Sequence, residues 1–274
     1  MSVRIPRALS IAGSDSGGGA GIQADLKTFA ALGVYGMTAI TAVTAQNTLG
    51  VISVVELAPD MISQQIHAVV SDIGVDAVKT GMLANAAIVS RVAKELGRLE
   101  LNNLVVDPVM VAKGGHRLLH ADAVAAVKQE LLPLAKLVTP NVEEAEVLTN
   151  RQIRDLDGMR EAAMRIKELG PRQVLITGGH LPGSPVDLYY DGLDFREYTG
   201  ERIDTPHTHG SGCTLASAVA AGLAKGLALE EAIRQARAYV FQAIRHGLAI
   251  GRGHGPLHHF HELYRLAGWN WSDT

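Results

Sequence analysis

Residues 208–223 read Thr-His-Gly-Ser-Gly-Cys-Thr-Leu-Ala-Ser-Ala-Val-Ala-Ala-Gly-Leu, a glycine-punctuated turn that runs directly into a strongly helical segment. Three consecutive backbone N–H groups at such a turn can converge on one point, where the dipole of the following helix adds partial positive charge. Such a turn is suited to hold an anion, above all one whose charge grows during a reaction. A plain strand-to-helix turn enclosing a small residue is an equally good explanation of the local pattern.

The same turn carries Cys213, the only cysteine in the chain. Because a thiol at the start of a helix is biased toward the thiolate, we expect Cys213 to be partly ionised. One cysteine also excludes an internal disulfide and is typical of a reducing compartment. We therefore expect a cytoplasmic protein.

The composition excludes several classes of protein. With 47% hydrophobic residues among 274, the chain can bury a full core, while a net charge of −3 argues against general nucleic-acid binding. No apolar run is long enough to cross a bilayer, and the first residues lack the apolar stretch of a signal peptide. We expect a soluble protein without nucleic-acid or membrane partners, folded as one domain over residues 1–274.

Predicted strands and helices alternate along the chain, which favours an α/β fold with a mostly parallel sheet covered on both faces. The predicted strands are 8–12, 38–44, 77–80, 104–109, 137–141 and 173–177, with a hairpin at 186–190 and 195–198. The predicted helices are 21–32, 60–71, 84–99, 121–132, 143–149, 158–169, 211–226 and 230–247.

Polar and glycine-rich residues follow these strands, at Gly13, Gln46, Asp107, Asn141 and Thr177 among others. In open parallel sheets the ligand binds at the carboxyl ends of the strands. Ordinary loop composition would explain each position but not their shared place in the sheet. The pattern therefore predicts one binding site at this edge.

Two acidic residues are candidate metal ligands. Asp107 follows a buried apolar strand, and Glu144 lies three residues after Asn141 near the start of a helix. Glu144 could hold a hydrated Mg²⁺ ion, which keeps several waters and contacts few carboxylates. Stabilisation of the helix start by a negative charge is the stronger explanation of Glu144 taken alone.

The glycine-rich segment 17–25 is not a phosphate loop of the Gly-Lys-Ser/Thr type, because no lysine follows it. It more readily lets the backbone approach a small flat ligand, with Asp25 as an acceptor. The amide of Gln46 could pair with a ring nitrogen and an exocyclic amine, although a bond to the backbone is equally plausible. The histidines of residues 253–261 fit no zinc signature, which favours a loop and helix start with solvated histidines.

Taken together, these segments resemble the hydroxymethylpyrimidine/phosphomethylpyrimidine kinases of thiamin biosynthesis, in the ribokinase-like superfamily. The motifs that carry the resemblance are residues 12–25, 44–48, 79–83, 106–110, 139–144, 177–180 and 209–214, with Gly-His-Gly-Pro at 253–256. The resemblance covers nearly the whole chain. It implies a three-layer α/β/α domain that pairs as a homodimer and uses ATP and Mg²⁺. The implied reaction phosphorylates 4-amino-5-hydroxymethyl-2-methylpyrimidine and then its monophosphate.

The resemblance also implies a role for each matched residue. Gln46 would bind the aminopyrimidine edge, and the rest of that pocket would be Gly13, Asp25, Met82 and Val109. The residues facing the triphosphate and its magnesium would be Asp107, Asn141, Glu144 and Thr177. Gly210, Ser211 and Gly212 would form the anion hole, and Cys213 would occupy the catalytic-base position, where ribokinase-like sugar kinases have aspartate.

Residues 113–115 read Lys-Gly-Gly where relatives usually have Lys-Ser-Gly, in a segment implied to cover the site. Two alternatives remain open. One is a pyridoxal or pyridoxine kinase of the same superfamily, against which the segment 17–25 and Gln46 favour the aminopyrimidine. The other is a non-catalytic pyrimidine-binding protein, for which an anion hole would have no use.

Overall fold

Nine strands form one sheet in the computed structural model, which describes residues 4–99, 101–111, 118–179 and 185–269. The strands are β1 (Arg7–Asp15), β2 (Tyr35–Asn47), β3 (Gly50–Glu56), β4 (Ala77–Thr80), β5 (Leu104–Val106), β6 (Leu137–Val138), β7 (Val174–Ile176), β8 (Val186–Tyr190) and β9 (Phe195–Thr199). Their order in the sheet is β3-β2-β1-β4-β5-β6-β7-β8-β9. The block from β2 to β7 is parallel, whereas β3, β8 and β9 pair antiparallel.

Helices cover both faces of the sheet. They are α1 (Gly21–Ala31), α2 (Pro59–Asp72), α3 (Ala86–Arg98), α4 (Ala123–Ala126), α5 (Val142–Thr149), α6 (Leu156–Glu168), α7 (Ser211–Ala224), α8 (Leu229–Arg245) and α9 (His261–Leu266). Successive side chains of a strand point to opposite faces, so Leu9 joins the core with α2 to α6, whereas Ala8 joins the core with α1, α7 and α8. These two cores confirm the three-layer α/β/α fold with a mostly parallel sheet.

Helix α7 is built almost entirely from small residues, and every side chain from 214 to 223 is buried. It packs against β1, β4 and β5 in the middle of the sheet. At Gly222 an added Cβ would lie 2.7 Å from the Cβ of Ala232, so the missing side chain allows α8 to approach closely. This packing directs the first turn of α7 to the carboxyl ends of the central strands.

The structure differs from the sequence prediction in two elements. Strand β3 was not predicted; it is an edge strand on which Ile52 and Val55 are exposed, so it lacks the alternation of a half-buried strand. The helix predicted over 121–132 is α4 followed by a π turn at Val127–Leu131 and a 3-10 turn at Leu132–Leu134. Pro133, which has no N–H to donate, explains why a regular helix ends there.

Candidate active site

A cavity of about 870 Å³ opens at the carboxyl ends of the parallel strands. Its lining includes every residue that the sequence predicted for the site except Asp25, namely Gly13, Gln46, Met82, Asp107, Val109, Asn141, Glu144, Thr177, Gly210, Ser211, Gly212 and Cys213. Residues up to 200 positions apart in the chain are thus brought to one edge of the sheet.

The turn before α7 has the geometry of an anion site. Gly210 adopts φ +85° as the residue that precedes the helix, and a side chain there would overlap the carbonyl oxygen of Gly19. Ser211 N–H donates to Thr208 O at 3.3 Å and Thr214 N–H to Gly210 O at 2.9 Å, whereas within the described parts of the chain the amides of Gly212 and Cys213 have no acceptor. Of the amides expected to form the anion hole, that of Ser211 is therefore already engaged, and the free amide of Cys213 was not predicted. Free amides at the start of a helix attract negative charge.

Asp15 ties this turn to the glycine-rich segment, a role that the sequence did not reveal. Its carboxylate accepts from the amides of Gly17 (2.8 Å), Gly19 (3.1 Å) and Ala20 (2.8 Å), and it lies 3.0 Å from His209 Nε2. Burial alone would raise the pKa of Asp15, but these hydrogen bonds outweigh burial and lower it. The ionised carboxylate therefore joins two turns that are 194 residues apart in sequence.

The segment Gly-His-Gly-Pro connects the turn before α7 to the turn between β2 and β3. The Thr48 hydroxyl accepts from the amide of Gly253 at 3.2 Å, and His209 N–H donates to Gly255 O at 3.1 Å. The prediction that the histidines of this segment are solvated is wrong in part, because His258 and His259 are buried. No group of three or more metal-ligating side chains is found here or elsewhere in the described ranges.

Cys213 is half-buried at the floor of the cavity. Burial raises the pKa of its thiol to about 12; the neighbouring carboxylates of Asp107 and Asp25 add to this effect and the charge of Lys79 opposes it. The partial ionisation expected from the helix start is therefore wrong. At neutral pH the side chain is a thiol.

Asp25 does not line the cavity, contrary to the prediction that it accepts from a ligand. Its carboxylate is fully buried, and each of its oxygens lies 3.1 Å from Lys79 Nζ. Burial would lower the pKa of Lys79, but the carboxylates of Asp25 and Asp107 more than compensate, and the pKa rises. Lys79 is thus a buried cation at the edge of the cavity, for which the sequence indicated no role.

Asp107 follows β5 and is buried, with Oδ2 lacking any hydrogen-bond partner among the described residues. Burial raises its pKa, although the charge of Lys79 opposes the shift. Glu144 forms a capping box with Asn141: Glu144 N–H donates to Asn141 Oδ1, and Glu144 Oε2 accepts from Asn141 N–H, both at 2.9 Å. Burial and the nearby Asp107 raise the pKa of Glu144. Glu144 thus lies in the first turn of the helix, as expected, but it stabilises that turn through the capping box, which the sequence analysis did not predict.

These two carboxyl groups fit a hydrated magnesium ion. Asp107 presents a buried oxygen that accepts no hydrogen bond within the part of the chain described, and its charge raises the pKa of Glu144, so a cation bound by both carboxyl groups would relieve their repulsion. Two carboxyl groups suffice for Mg²⁺, which is commonly held by one or two carboxylates together with substrate phosphates.

Gln46, Met82 and Val109 also line the cavity. The Gln46 side chain accepts from Thr44 Oγ1 at 3.2 Å and approaches His209 Nε2 at 3.3 Å, while its backbone is satisfied by Ser16. Both ends of its side-chain amide thus have a partner within the protein. At Gly13 an added Cβ would lie 3.1 Å from Met82 Sδ, so glycine leaves room for a flat ring beside the methionine.

Two remaining expectations concern segments beyond this site. The segment 113–115, implied to cover the cavity, lies outside the described residues. Among the described helices, none combines the length and hydropathy needed to span a membrane.

Comparison with known proteins identifies the family. The hydroxymethylpyrimidine/phosphomethylpyrimidine kinase of Bacillus subtilis is 50% identical over 258 residues, covering 93% of this chain and 95% of that protein. The thiamine biosynthesis bifunctional protein ThiED of Geobacter sulfurreducens is 52% identical over 252 residues, and this chain spans about half of its length (51%). Among solved structures, the ADP complex of Bacillus subtilis pyridoxal kinase matches with a TM-score of 0.88 and 44% identity, covering 93% of this chain and 98% of that one.

A family model adds the decisive match, and with it the resemblance seen in the sequence is confirmed. The model described as phosphomethylpyrimidine kinase aligns with residues 15–258, which include the glycine-rich segment, Asp107 and the turn before α7. The chain therefore belongs to the phosphomethylpyrimidine kinase family.

Proposed function

We propose that this protein transfers the terminal phosphoryl group of ATP to the alcohol of 4-amino-5-hydroxymethyl-2-methylpyrimidine, and then to the phosphate of the product. The observation that carries this proposal is that free amides, the Asp107 carboxylate and Cys213 meet in one cavity. We further propose one domain, a homodimer and a cytoplasmic location, the last from the single reduced cysteine.

Each wall of the cavity has a role in this proposal. Gln46 pairs with the aminopyrimidine edge, with Met82 and Val109 against the ring. Asn141 and Thr177 lie on the nucleotide side. Asp107 and Glu144 hold Mg²⁺, partly through water. When bound, Mg²⁺ neutralises charge on the phosphates.

The free amides of Gly212 and Cys213 in the first turn of α7 receive the phosphoryl group between ATP and the alcohol. An O–P bond forms to the alcohol as the bond to ADP breaks, and the hydroxyl proton leaves late, to an oxygen of the transferred phosphoryl group, because the transition state is loose. Early deprotonation is not required, so a protonated thiol suffices at position 213. Cys213 then acts mainly by orienting the alcohol.

Replacing the thiol tests this role. Cys213→Ala is expected to lower kcat but leave a measurable rate, because charge neutralisation by the amides remains. Cys213→Asp is expected to retain more activity, since a carboxylate can accept the proton. Steady-state kinetics on both variants measure this. Complete loss in both, with circular dichroism unchanged, would show that the thiol is required for something else.

Gln46 tests how the pyrimidine is recognised. Gln46→Ala is expected to weaken pyrimidine binding by about 1–3 kcal/mol, because a buried polar partner is left unsatisfied. Titration calorimetry with the pyrimidine alcohol measures this, and Gln65→Ala, which removes a glutamine bonded to Ile40 outside the cavity lining, is the control. An unchanged affinity in Gln46→Ala removes this residue from the binding site.

A pyridoxal kinase is the second candidate, favoured by the match to the Bacillus subtilis pyridoxal kinase. An assay of ADP release with pyrimidine alcohol, pyrimidine monophosphate, pyridoxine and pyridoxal distinguishes the two functions. We expect both pyrimidines to be the better substrates. ADP release with only the vitamin B6 compounds would replace the proposal, and no release with any of the four would indicate a binding protein.

A further inference from the structure

Lys79 lies on β4, between β1 and β5 in the middle of the sheet, and its side chain is completely buried. A buried ammonium strongly destabilises a fold unless it is paired and hydrogen-bonded. Burial at the centre of the sheet places its charge next to the cavity floor, because Lys79 also borders the cavity.

Asp25 anchors this ammonium. Besides Lys79, its carboxylate accepts from Ser10 Oγ at 2.5 Å and from Ser217 Oγ at 2.6 Å. These bonds join β1, α1, β4 and α7 at one point. With every one of these donors directed at it, the Asp25 carboxylate is held in place and holds the Lys79 Nζ in turn.

The other side of the ammonium faces the phosphoryl site. Lys79 Nζ lies 3.8 Å from Asp107 Oδ2, the oxygen without a hydrogen-bond partner. The same positive charge acts on the Cys213 thiol, where it opposes the effect of burial. Gly81 leaves the space for it, since an added Cβ there would lie 2.9 Å from Nζ.

We propose that Lys79 is a positioning residue of the phosphoryl site: its ammonium, anchored by Asp25, fixes the position of the Asp107 carboxylate and places fixed positive charge beside Cys213. The anion site then has two sources of positive potential, the amides of the turn and the Lys79 ammonium. This assignment rests on the proposed function, because it concerns the same reaction. The alternative is that the Lys79–Asp25 pair only holds elements together.

A charge-matched double variant separates these possibilities. Lys79→Met alone leaves the Asp25 carboxylate buried and unpaired, which is expected to unfold the protein. Asp25→Asn with Lys79→Met removes both charges with little change in volume, so the fold is expected to persist. We expect kcat to fall about 100-fold, the scale seen on removing one stabilising group from an anion site, with KM for the alcohol nearly unchanged.

A second readout does not depend on turnover. Cys213 is the only cysteine, so iodoacetamide alkylation reports on one thiol. We expect the double variant to be alkylated more slowly at pH 8, because losing the Lys79 charge raises the pKa of the thiol more than losing the Asp25 charge lowers it. Glu95→Gln, which removes a buried carboxylate bonded to Ser63 and outside the cavity lining, is the control and should leave both readouts unchanged.

A folded double variant with wild-type kcat and wild-type alkylation would overturn the proposal and leave a structural pair. If the double variant does not fold, Gly81→Ala is used instead, because its methyl group displaces Lys79 Nζ while both charges remain. Its kcat and its rate of alkylation then decide the question. Wild-type protein that is inactive on every alcohol would refute the proposed function, while slower alkylation in the variant would still support the placement of the charge.

Discussion

Gly210→Ala is expected to lower kcat about 1,000-fold, more than any other single-methyl change in the site. A methyl group at position 210 overlaps Gly19 O, a backbone atom that cannot rotate away. Relief requires the turn before α7 to move away from the glycine-rich segment, and the free amides move with it. Loss of one well-aimed donor already slows such reactions about 100- to 1,000-fold.

A matched control separates strain from displacement of the amides. Gly226, just beyond the far end of α7, has φ +84° against +85° at Gly210, and no atom lies within 4 Å of its added Cβ. Gly226→Ala therefore carries the same backbone penalty, about 1–2 kcal/mol, without the overlap. Thermal melts should show both variants destabilised, and kinetics should show only Gly210→Ala impaired. Equal kcat in the two variants would mean that the turn does not bind the phosphoryl group.

Asp107→Asn is expected to raise stability at pH 7 while lowering kcat about 1,000-fold. Burial raises the pKa of Asp107, so the folded protein binds its proton more tightly than the unfolded chain does. As pH rises above about 4, where carboxyl groups ordinarily ionise, this difference costs the wild-type protein stability. Asparagine removes the penalty, but it also removes the anion that would bind Mg²⁺.

Denaturant unfolding at pH 4 and pH 7 tests the direction of this effect on stability. The gain in unfolding free energy of Asp107→Asn over wild type should be larger at pH 7 than at pH 4. Glu95→Gln is the contrast: the hydrogen bonds from Ser63 and His67 outweigh burial and lower the pKa of Glu95, so this variant should lose stability at pH 7 and keep its kcat. A destabilised Asp107→Asn variant with full activity would exclude Asp107 from the site.

The position of the site could be predicted from the sequence, because the carboxyl ends of parallel strands meet at one edge. Asp107, Asn141 and Thr177 each follow a strand, and the cavity contains all three. Strand register did not need to be known for this prediction. The alternation of predicted strands and helices was likewise sufficient to predict a sheet covered by helices on both faces.

What the sequence could not reveal depends on contacts between distant residues. Lys79 stands in the short run Ala-Val-Lys-Thr, where nothing signals a buried ammonium; its partner Asp25 is 54 residues away. His209 and Asp15 are 194 residues apart. The thiol of Cys213 was expected to ionise because the helix start is visible in the sequence, whereas the burial that prevents ionisation is not.

The small residues of α7 also bear on how this scaffold diversifies. A larger side chain between positions 214 and 223 would lift the whole helix and carry the phosphoryl-binding amides with it. New substrate preferences should therefore arise by exchanging ring-facing groups such as Gln46 and Val109, with the floor inherited unchanged. A kinase for a pyrimidine and one for a pyridine would then share the residues that bind the phosphoryl group and differ in the residues that contact the ring.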